Sequence, residues 1–533
     1  MALEVVVLAA GMGTRMRSAV PKVLHAIGGQ PMLRRVLNAA TPLAPARVHV
    51  VVGMGREQVQ AAFTDEALTW VVQTELKGTG HAVTQVLPHL SAGNRVLVLI
   101  GDVPLVTTRS LEILINGTAA DEVGLMTAVM PDPHGLGRIL RDGPRVIGIR
   151  EQKDASPAEQ AIKEINTGIM LVPVDRLAAW LPRLSPNNAQ GEYYLTDIIA
   201  MAVADNVTVI ATSPVDVEET GGINDRVQLA AAERIWQRRE AERLMRGGVT
   251  LLDPARFDVR GHLEGGQDSV IDVDVVFEGE VTLGSRVRIG AHCYIKNAVI
   301  GDNSIVEPNT FIDGAKLGVG VRVGPFARLR PGTELGDRVH IGNFVETKKA
   351  RLGVGAKANH LAYLGDTSIG GGSNIGAGTI TCNYDGMNKH FTEIGNDVFV
   401  GSNATLVAPV TLEDGSFVAA GSTITTRVPS QSLAVGRGRQ RNIDGWVRPD
   451  RRMAEDDDDY SPSHVRLNFA WWVGLNCSER SIADGSSNLA RKQIDVRHRR
   501  SSCAARRARH SAGRTVEVGV PRLRLRRACG RRR

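Results

Sequence analysis

Between residues 275 and 341 an apolar side chain returns at every sixth position: Val275, Val281, Val287, Cys293, Val299, Ile305, Phe311, Leu317, Val323, Leu329, Leu335 and Ile341. A helix repeats near 3.6 residues and a half-buried strand at two, so neither explains a period of six held without a slip. Six residues suit one side of a three-sided coil, with the apolar residue turned inward and neighbouring coils stacked as a parallel β-helix. After a phase shift at 346–351 the rhythm resumes as Leu364-Gly365, Ile369-Gly370, Ile375-Gly376, Ile394-Gly395 and Val400-Gly401. The expectation for 249–450 is a left-handed parallel β-helix of hexapeptide repeats.

Residues 1–224 read differently. Buried strands are expected at 4–8, 48–52 and 96–100, with helices at 32–40 and 81–87 between them. That alternation predicts a Rossmann-like α/β domain with a mainly parallel sheet. The charged stretch 225–246, with Val227, Leu229, Ile235 and Leu244 among Arg and Glu, predicts a connecting helix that Gly247-Gly248 ends, giving a linker at 225–248.

Composition narrows the functional classes. Aromatics make up only 4% of the chain while glycines number 57, which suits turns and small side chains. Five scattered cysteines without a CxxC indicate neither a disulfide framework nor a zinc site. No basic leader precedes the short apolar run at the N-terminus and no apolar stretch is long enough to span a bilayer, so a cytoplasmic location is expected. The formal charge of +7 is unevenly spread: residues 490–533 hold fifteen Arg and one Lys against two acids, a net +14, which leaves 1–489 at −7. Residues 451–533 sustain neither period and combine few apolar residues with dense charge, so they are expected to be a basic, disordered tail. Their composition resembles out-of-frame translation of GC-rich DNA; a nucleic-acid or membrane-surface arm is the alternative.

Chemistry concentrates in two places. The string LAAGMGTRMRSAVPK at 8–22 follows the first strand directly. Its glycines at 11 and 13 let backbone N–H groups approach phosphate oxygens, while Arg15 and Lys22 bring positive charge. Asp102 follows the strand at 96–100, at the carboxyl edge where open parallel sheets hold ligands. In the repeat region His360, within KANHLAYLGD, is a candidate general base because imidazole titrates near neutrality. The stretch around 381–389 breaks the rhythm, as functional insertions in repeat proteins do.

The first string resembles the LxxGxGTRxxxxxPK signature of sugar nucleotidyltransferases. Further matches follow in order: QTELKGTGHA at 73–82, GDVPL at 101–105, GLGRI at 135–139, EQKDA at 151–155, NTGI at 166–169 and GGINDRVQL at 221–229. With KKARLG at 348–353 and NIGAGTITCNYDG at 374–386, the chain over 3–448 resembles the bifunctional N-acetylglucosamine-1-phosphate uridylyltransferase and glucosamine-1-phosphate N-acetyltransferase family.

That resemblance implies acetyl transfer from acetyl-CoA to glucosamine 1-phosphate, then uridylyl transfer from UTP, supplying UDP-N-acetylglucosamine for peptidoglycan and lipopolysaccharide. It assigns UTP and N-acetylglucosamine 1-phosphate to Leu8, Ala9, Gly11, Arg15, Lys22, Gln73, Gly78, Thr79, Gly137, Glu151, Asn166 and Asn224, with Mg²⁺ on Asp102 and Asn224. It makes His360 catalytic and gives glucosamine 1-phosphate to Arg330, Lys348, Tyr363, Asn374 and Lys389, the last from a neighbouring chain. Acetyl-CoA falls to Asn383, Tyr384, Ser402, Ala420 and Arg437, with Asn383 also orienting His360. A homotrimer is implied. Rival readings are a nucleotidyltransferase with a merely regulatory β-helix, a nucleic-acid-binding protein driven by the Arg-rich end, and a purely structural β-helix.

Overall fold

The computed structural model describes residues 1–64 and 67–448; the expected tail at 451–533 lies outside the described residues. Met1–Gln440 form one unit. It opens with a sheet in the order Val209–Thr212, Val123–Val129, Glu164–Pro173, Arg95–Ile100, Leu3–Ala9, Arg47–Val52, Thr69–Val72. Leu3–Ala9 runs parallel to both of its neighbours, while Glu164–Pro173 runs antiparallel to Arg95–Ile100 and Val123–Val129. The inner strands are near-continuous Val and Leu because both faces are covered, and separate apolar clusters fill each side. Met32–Ala40 and Thr79–Val86 are among the covering helices.

The second half is the parallel β-helix. Phe257 pairs in parallel with Val275, eighteen residues on, so one coil takes three sides of six. Inward side chains come as pairs two apart, among them Val275 with Phe277 and Val281 with Leu283. Other coils are a residue shorter: Tyr294 lies opposite Phe311, seventeen on. Each shortening advances the inward position by one, from Cys293 to Ala298 and from Thr310 to Ala315. The unbroken six-residue series is therefore only partly a list of core positions. Val299 and Phe311 point outward, 48% and 37% exposed, and Ile305 is half-buried with Val306 taking the inward place. After the second shortening the series falls on the other member of each inward pair, and Leu317 is buried again. Phe311 is instead held by stacking flat on Tyr294, with ring centres 5.0 Å apart.

The phase shift expected at 346–351 has the same cause, because the inward residues Val345 and Ala350 are five apart. A larger break follows: Thr367 pairs with Thr392, twenty-five residues on, and the extra length forms a protruding hairpin in which Tyr384 bridges Lys389.

Between the two halves lies the helix Arg226–Arg246, started by the Asp225 carboxylate accepting from the Val227 and Gln228 N–H groups. Val227 itself is 81% exposed, and the buried face is Ala232, Gln237, Ala241 and Leu244. The helix binds both sides. Glu233 accepts from Gly28 N–H at 2.8 Å and Arg239 donates to the Leu105 carbonyl at 2.9 Å. On the β-helix side the Gln237 amide mimics a strand edge, donating to Val259 O at 2.8 Å and accepting from Val259 N–H at 2.7 Å. Gln237 is fully buried, so Gln237→Ala strands two backbone groups away from water and is expected to cost about 2–4 kcal/mol in urea unfolding of the full chain. A loss below about 0.5 kcal/mol, the scale of an ordinary surface change, would remove Gln237 as the tie.

Candidate functional site

Leu8, Ala9, Gly11, Lys22, Gln73, Gly78, Thr79 and Asp102, all named from the sequence, line one cavity of about 260 Å³ at the carboxyl ends of Leu3–Ala9 and Arg95–Ile100. Backbone geometry explains the glycines. Gly78 has φ +99°, and a Cβ there would come within 2.7 Å of the Tyr193 carbonyl. Gln73 is held by donating to Gly78 O at 3.2 Å and by a 3.0 Å contact with His81 Nδ1.

Polar groups converge at the cavity edge. Lys22 Nζ contacts Asp102 Oδ2 directly and reaches Asn224 Oδ1 at 3.5 Å, and Arg15 Nη2 donates to the same Asn224 oxygen at 2.8 Å. Residues far apart in sequence thus form one cluster. Asn224 is carried there because Ile223 N–H donates to the Asp102 carbonyl at 3.0 Å. The oxygens of Asp102 and Asn224 meet at a single cationic point, a hard donor pair of the kind that holds Mg²⁺ together with substrate phosphates.

Gly137, Glu151 and Asn166 come together as a second group. Asn166 N–H donates to Gly137 O at 2.9 Å, and a Cβ on Gly137 would lie 3.3 Å from a Glu151 carboxylate oxygen. Glu151 accepts from Thr196 Oγ1 at 3.0 Å. Burial pushes the Glu151 carboxyl above its usual range, and Asp197, Asp154 and Glu192 add to the rise against the Thr196 hydrogen bond.

On the β-helix, Arg330, Lys348 and Tyr363 occupy successive coils of one face. Arg330 donates to Glu346 at 2.9 Å, and Lys348 lies 3.5 Å from Asp366, which also takes the Asn383 amide. His360 is exposed at the adjoining corner. Its Nδ1 lies 2.7 Å from Asn343 Oδ1 on the coil below. Within the chain the imidazole is paired with Asn343, whereas Asn383, expected to orient it, lies buried with its amide on Asp366. Asn374 sits between Lys357 and Phe399 in the neighbouring ladder. Tyr384 and Lys389 form the hairpin, the Lys389 ammonium 4.0 Å above the Tyr384 ring. Ser402, Ala420 and Arg437 are exposed on later coils, and Arg437 donates to Ala420 O at 2.9 Å. Within one chain Ser402, Ala420 and Arg437 make no enclosed pocket with His360 among the cavities described.

Three family models match in tandem: the MobA-like NTP transferase domain at 5–158, the GMPPB C-terminal domain at 262–357 and the bacterial transferase hexapeptide at 391–426. The chain is 56% identical over 453 residues to the bifunctional protein GlmU of Stutzerimonas stutzeri, covering 85% of this chain and 100% of that protein. It is 57% identical over 453 residues to the namesake from Neisseria meningitidis serogroup C, covering 84% and 98%, and 55% identical over 452 residues to that of Alkalilimnicola ehrlichii, covering 85% and 97%. The chain belongs to the bifunctional GlmU family.

In this GlmU-family chain the sequence reading missed the segment at 192–197 that borders the cavity of Leu8, Gln73 and Asp102. Gly80 N–H donates to Tyr193 O, Tyr193 N–H to Lys77 O, both at 2.8 Å, and Leu195 N–H to Thr79 Oγ1 at 3.1 Å. The run EYYLTD at 192–197 has no regular period; its one signal is two of only six tyrosines side by side. Asn343 was missed because it pairs with His360 only through coil stacking. Asn343→Ala removes that acceptor and should slow acetyl transfer about threefold to tenfold, the scale of one lost hydrogen bond, with uridylyl transfer unchanged; an unchanged acetyl-transfer rate would break the pair.

Proposed function

We propose that this chain makes UDP-N-acetylglucosamine in two steps, acetylating glucosamine 1-phosphate with acetyl-CoA and then transferring a uridylyl group from UTP with release of pyrophosphate. The observation that carries the reading is identity above half with GlmU proteins over nearly their whole length, spanning both halves of the chain. In the division proposed, 1–224 performs uridylyl transfer, 225–248 links, and 249–450 performs acetyl transfer.

In the acetyl step the neutral amine attacks the thioester carbonyl, the amine proton goes to His360 and the CoA thiolate leaves. Asn343 accepting from Nδ1–H keeps Nε2 unprotonated and aimed outward, as a general base requires. Arg330 and Lys348 suit a dianionic phosphate, Tyr363 and Asn374 the sugar, and Asn383, Tyr384, Ser402, Ala420 and Arg437 the CoA ester. Lys389, on a protruding hairpin, suits completion of the site in a neighbouring copy. Support for a homotrimer also comes from Phe326, Phe344 and Leu361, an exposed apolar ladder at the corner beside Asn343 and His360.

In the uridylyl step a phosphate oxygen of N-acetylglucosamine 1-phosphate attacks the α-phosphorus of UTP as pyrophosphate departs. Gly11, Arg15 and Lys22 cradle the phosphates, Gln73, Gly78 and Thr79 the uracil, and Gly137, Glu151 and Asn166 the sugar. When bound at Asp102 and Asn224, Mg²⁺ neutralises charge on the phosphate oxygens. Among the described residues no helix is long and apolar enough to cross a membrane, in keeping with a cytoplasmic enzyme of small phosphorylated substrates.

Incubation with glucosamine 1-phosphate, acetyl-CoA, UTP and Mg²⁺ should give a product with the mass of UDP-N-acetylglucosamine. Asp102→Ala should abolish pyrophosphate release yet spare CoA release, and His360→Ala should cut acetyl transfer by about 10²–10⁴ with uridylyl transfer intact. Full-rate turnover by either variant in its own step would overturn that assignment.

Glu151 sets the pH dependence of the second step. Its carboxyl titrates above the usual range, and only the ionised form accepts hydrogen bonds from sugar hydroxyls through both oxygens. KM for N-acetylglucosamine 1-phosphate should therefore rise as pH falls through that raised value. The limb should vanish in Glu151→Gln; a limb that persists there belongs to another group.

A further inference from the structure

Gly137 and Glu151 stand at the open end of one hairpin. Gly137 precedes the strand Arg138–Asp142 and Glu151 follows Arg145–Arg150, and the two strands pair antiparallel with Arg138 opposite Arg150. Beyond that last pair neither 132–137 nor 151–154 belongs to a strand, so no ladder sets the distance between them. The Arg138 guanidinium supplies the tie. Its Nη1 donates to the Leu136 carbonyl, and its Nη2 donates to Gln152 Oε1 at 2.7 Å and to the Gln160 carbonyl at 3.4 Å. Gln152 Oε1 also accepts from the Gly135 N–H at 3.1 Å. One amide oxygen, next in the chain to Glu151, thus takes donors from residues on both sides of Gly137.

Arg138 is 1% exposed, its three acceptors are neutral, and among the described ion pairs none includes it. Burying a guanidinium without a counter-charge is costly, and an apolar side chain of similar volume would avoid that cost. What arginine alone offers is a planar fork of donors able to reach three carbonyl oxygens at once. The gap it controls is narrow. A Cβ on Gly137 would lie 3.3 and 3.4 Å from the two Glu151 carboxylate oxygens, and Gly137 O accepts from the Asn166 N–H at 2.9 Å. A shift of 135–137 against 151–152 therefore alters the Gly137–Glu151 spacing and the Asn166 contact together.

We propose that Arg138 and Gln152 are positioning residues for sugar-phosphate recognition, setting the separation of Gly137 and Glu151 without touching the substrate. The inference rests on the assignment of Gly137, Glu151 and Asn166 to the sugar. Neither Arg138 nor Gln152 lines the cavity of Gly11, Gln73 and Asp102, so their effect falls on one of the two substrates and spares the nucleotide.

Truncating the buried Arg138 endangers folding, so the half-buried Gln152 carries the test, in the full chain. Gln152→Met keeps the length of the side chain and removes the shared acceptor. KM for N-acetylglucosamine 1-phosphate should rise about tenfold, the scale of one or two lost hydrogen bonds, with KM for UTP and the rate of acetyl transfer unchanged. Gln152→Glu retains an acceptor for both donors and should restore the wild-type KM. It is measured above the acid limb of Glu151, so that the added carboxylate does not act through that titration. A merely structural role would raise both KM values or lower the thermal midpoint, and the acceptor would not rescue it. An unchanged sugar-phosphate KM in Gln152→Met, an equal rise for UTP, or a Gln152→Glu variant as impaired as Gln152→Met overturns the proposal. Wild-type protein that forms no UDP-N-acetylglucosamine would overturn the uridylyl activity itself, and the positioning role with it.

Discussion

Each coil of the β-helix must present its backbone N–H and C=O groups to the coils above and below while closing a core only two inward side chains wide per side. Every other feature of that half follows from this constraint. Inward positions are mostly Val, Ile, Leu, Ala, Ser or Thr, with Phe257, Phe277 and Cys293 in the first coils, and some inward hydroxyls are bonded locally, as Ser304 is to Gly318 O at 3.0 Å. Shortening a coil from eighteen to seventeen residues preserves the stack at the expense of the period. Lengthening one by a hairpin leaves the stack intact below and above, since Thr392 still pairs with Val410 at the ordinary eighteen-residue interval. Insertion is tolerated because contacts are between nearest neighbours, and that freedom lets Tyr384, Asp385 and Lys389 stand out from a rigid rod.

The corners illustrate how stacking overrides local preference. One corner repeats through Asp274, His292, Asn309, Phe326, Phe344 and Leu361, all with positive φ. Asp and Asn suit this conformation, but Phe and Leu do not. Phe326 and Phe344 recover part of the cost by stacking with ring centres 5.4 Å apart. The next residue before each of Phe344 and Leu361 is Asn343 and His360, so the corner geometry that strains the backbone also sets these two side chains one above the other.

In the α/β half the organising feature is charge rather than period. Lys22, Arg15, Asp102 and Asn224 come from the first loop, a strand end and the approach to the linking helix, and they assemble because the turn after Arg95–Ile100 captures Ile223 through its backbone. The same helix that follows Asn224 ties the β-helix through Gln237. One element thus holds Asn224 beside Asp102 and Lys22 and fixes the next domain.

Much of this was legible in the sequence by itself. The glycine-rich string, the strand preceding Asp102 and the six-residue period each depend on neighbours a few residues away, so local patterns determined the fold class, the helix Met32–Ala40 and the placing of Gly11, Lys22 and Asp102 at one sheet edge. Tertiary structure alone decided what depends on stacking between coils or contacts between segments. Val299 and Phe311 face outward because a shortened corner shifts the inward position, a change of phase that apolar spacing conceals. Asn343 meets His360 seventeen residues on, and Glu192 joins a cavity otherwise lined by residues before position 103 because its neighbour Tyr193 is paired through its backbone with Lys77 and Gly80. Periodicity encodes which residues are apolar; only the closed backbone, with its hydrogen bonds satisfied, selects which of them point inward and which side chains meet.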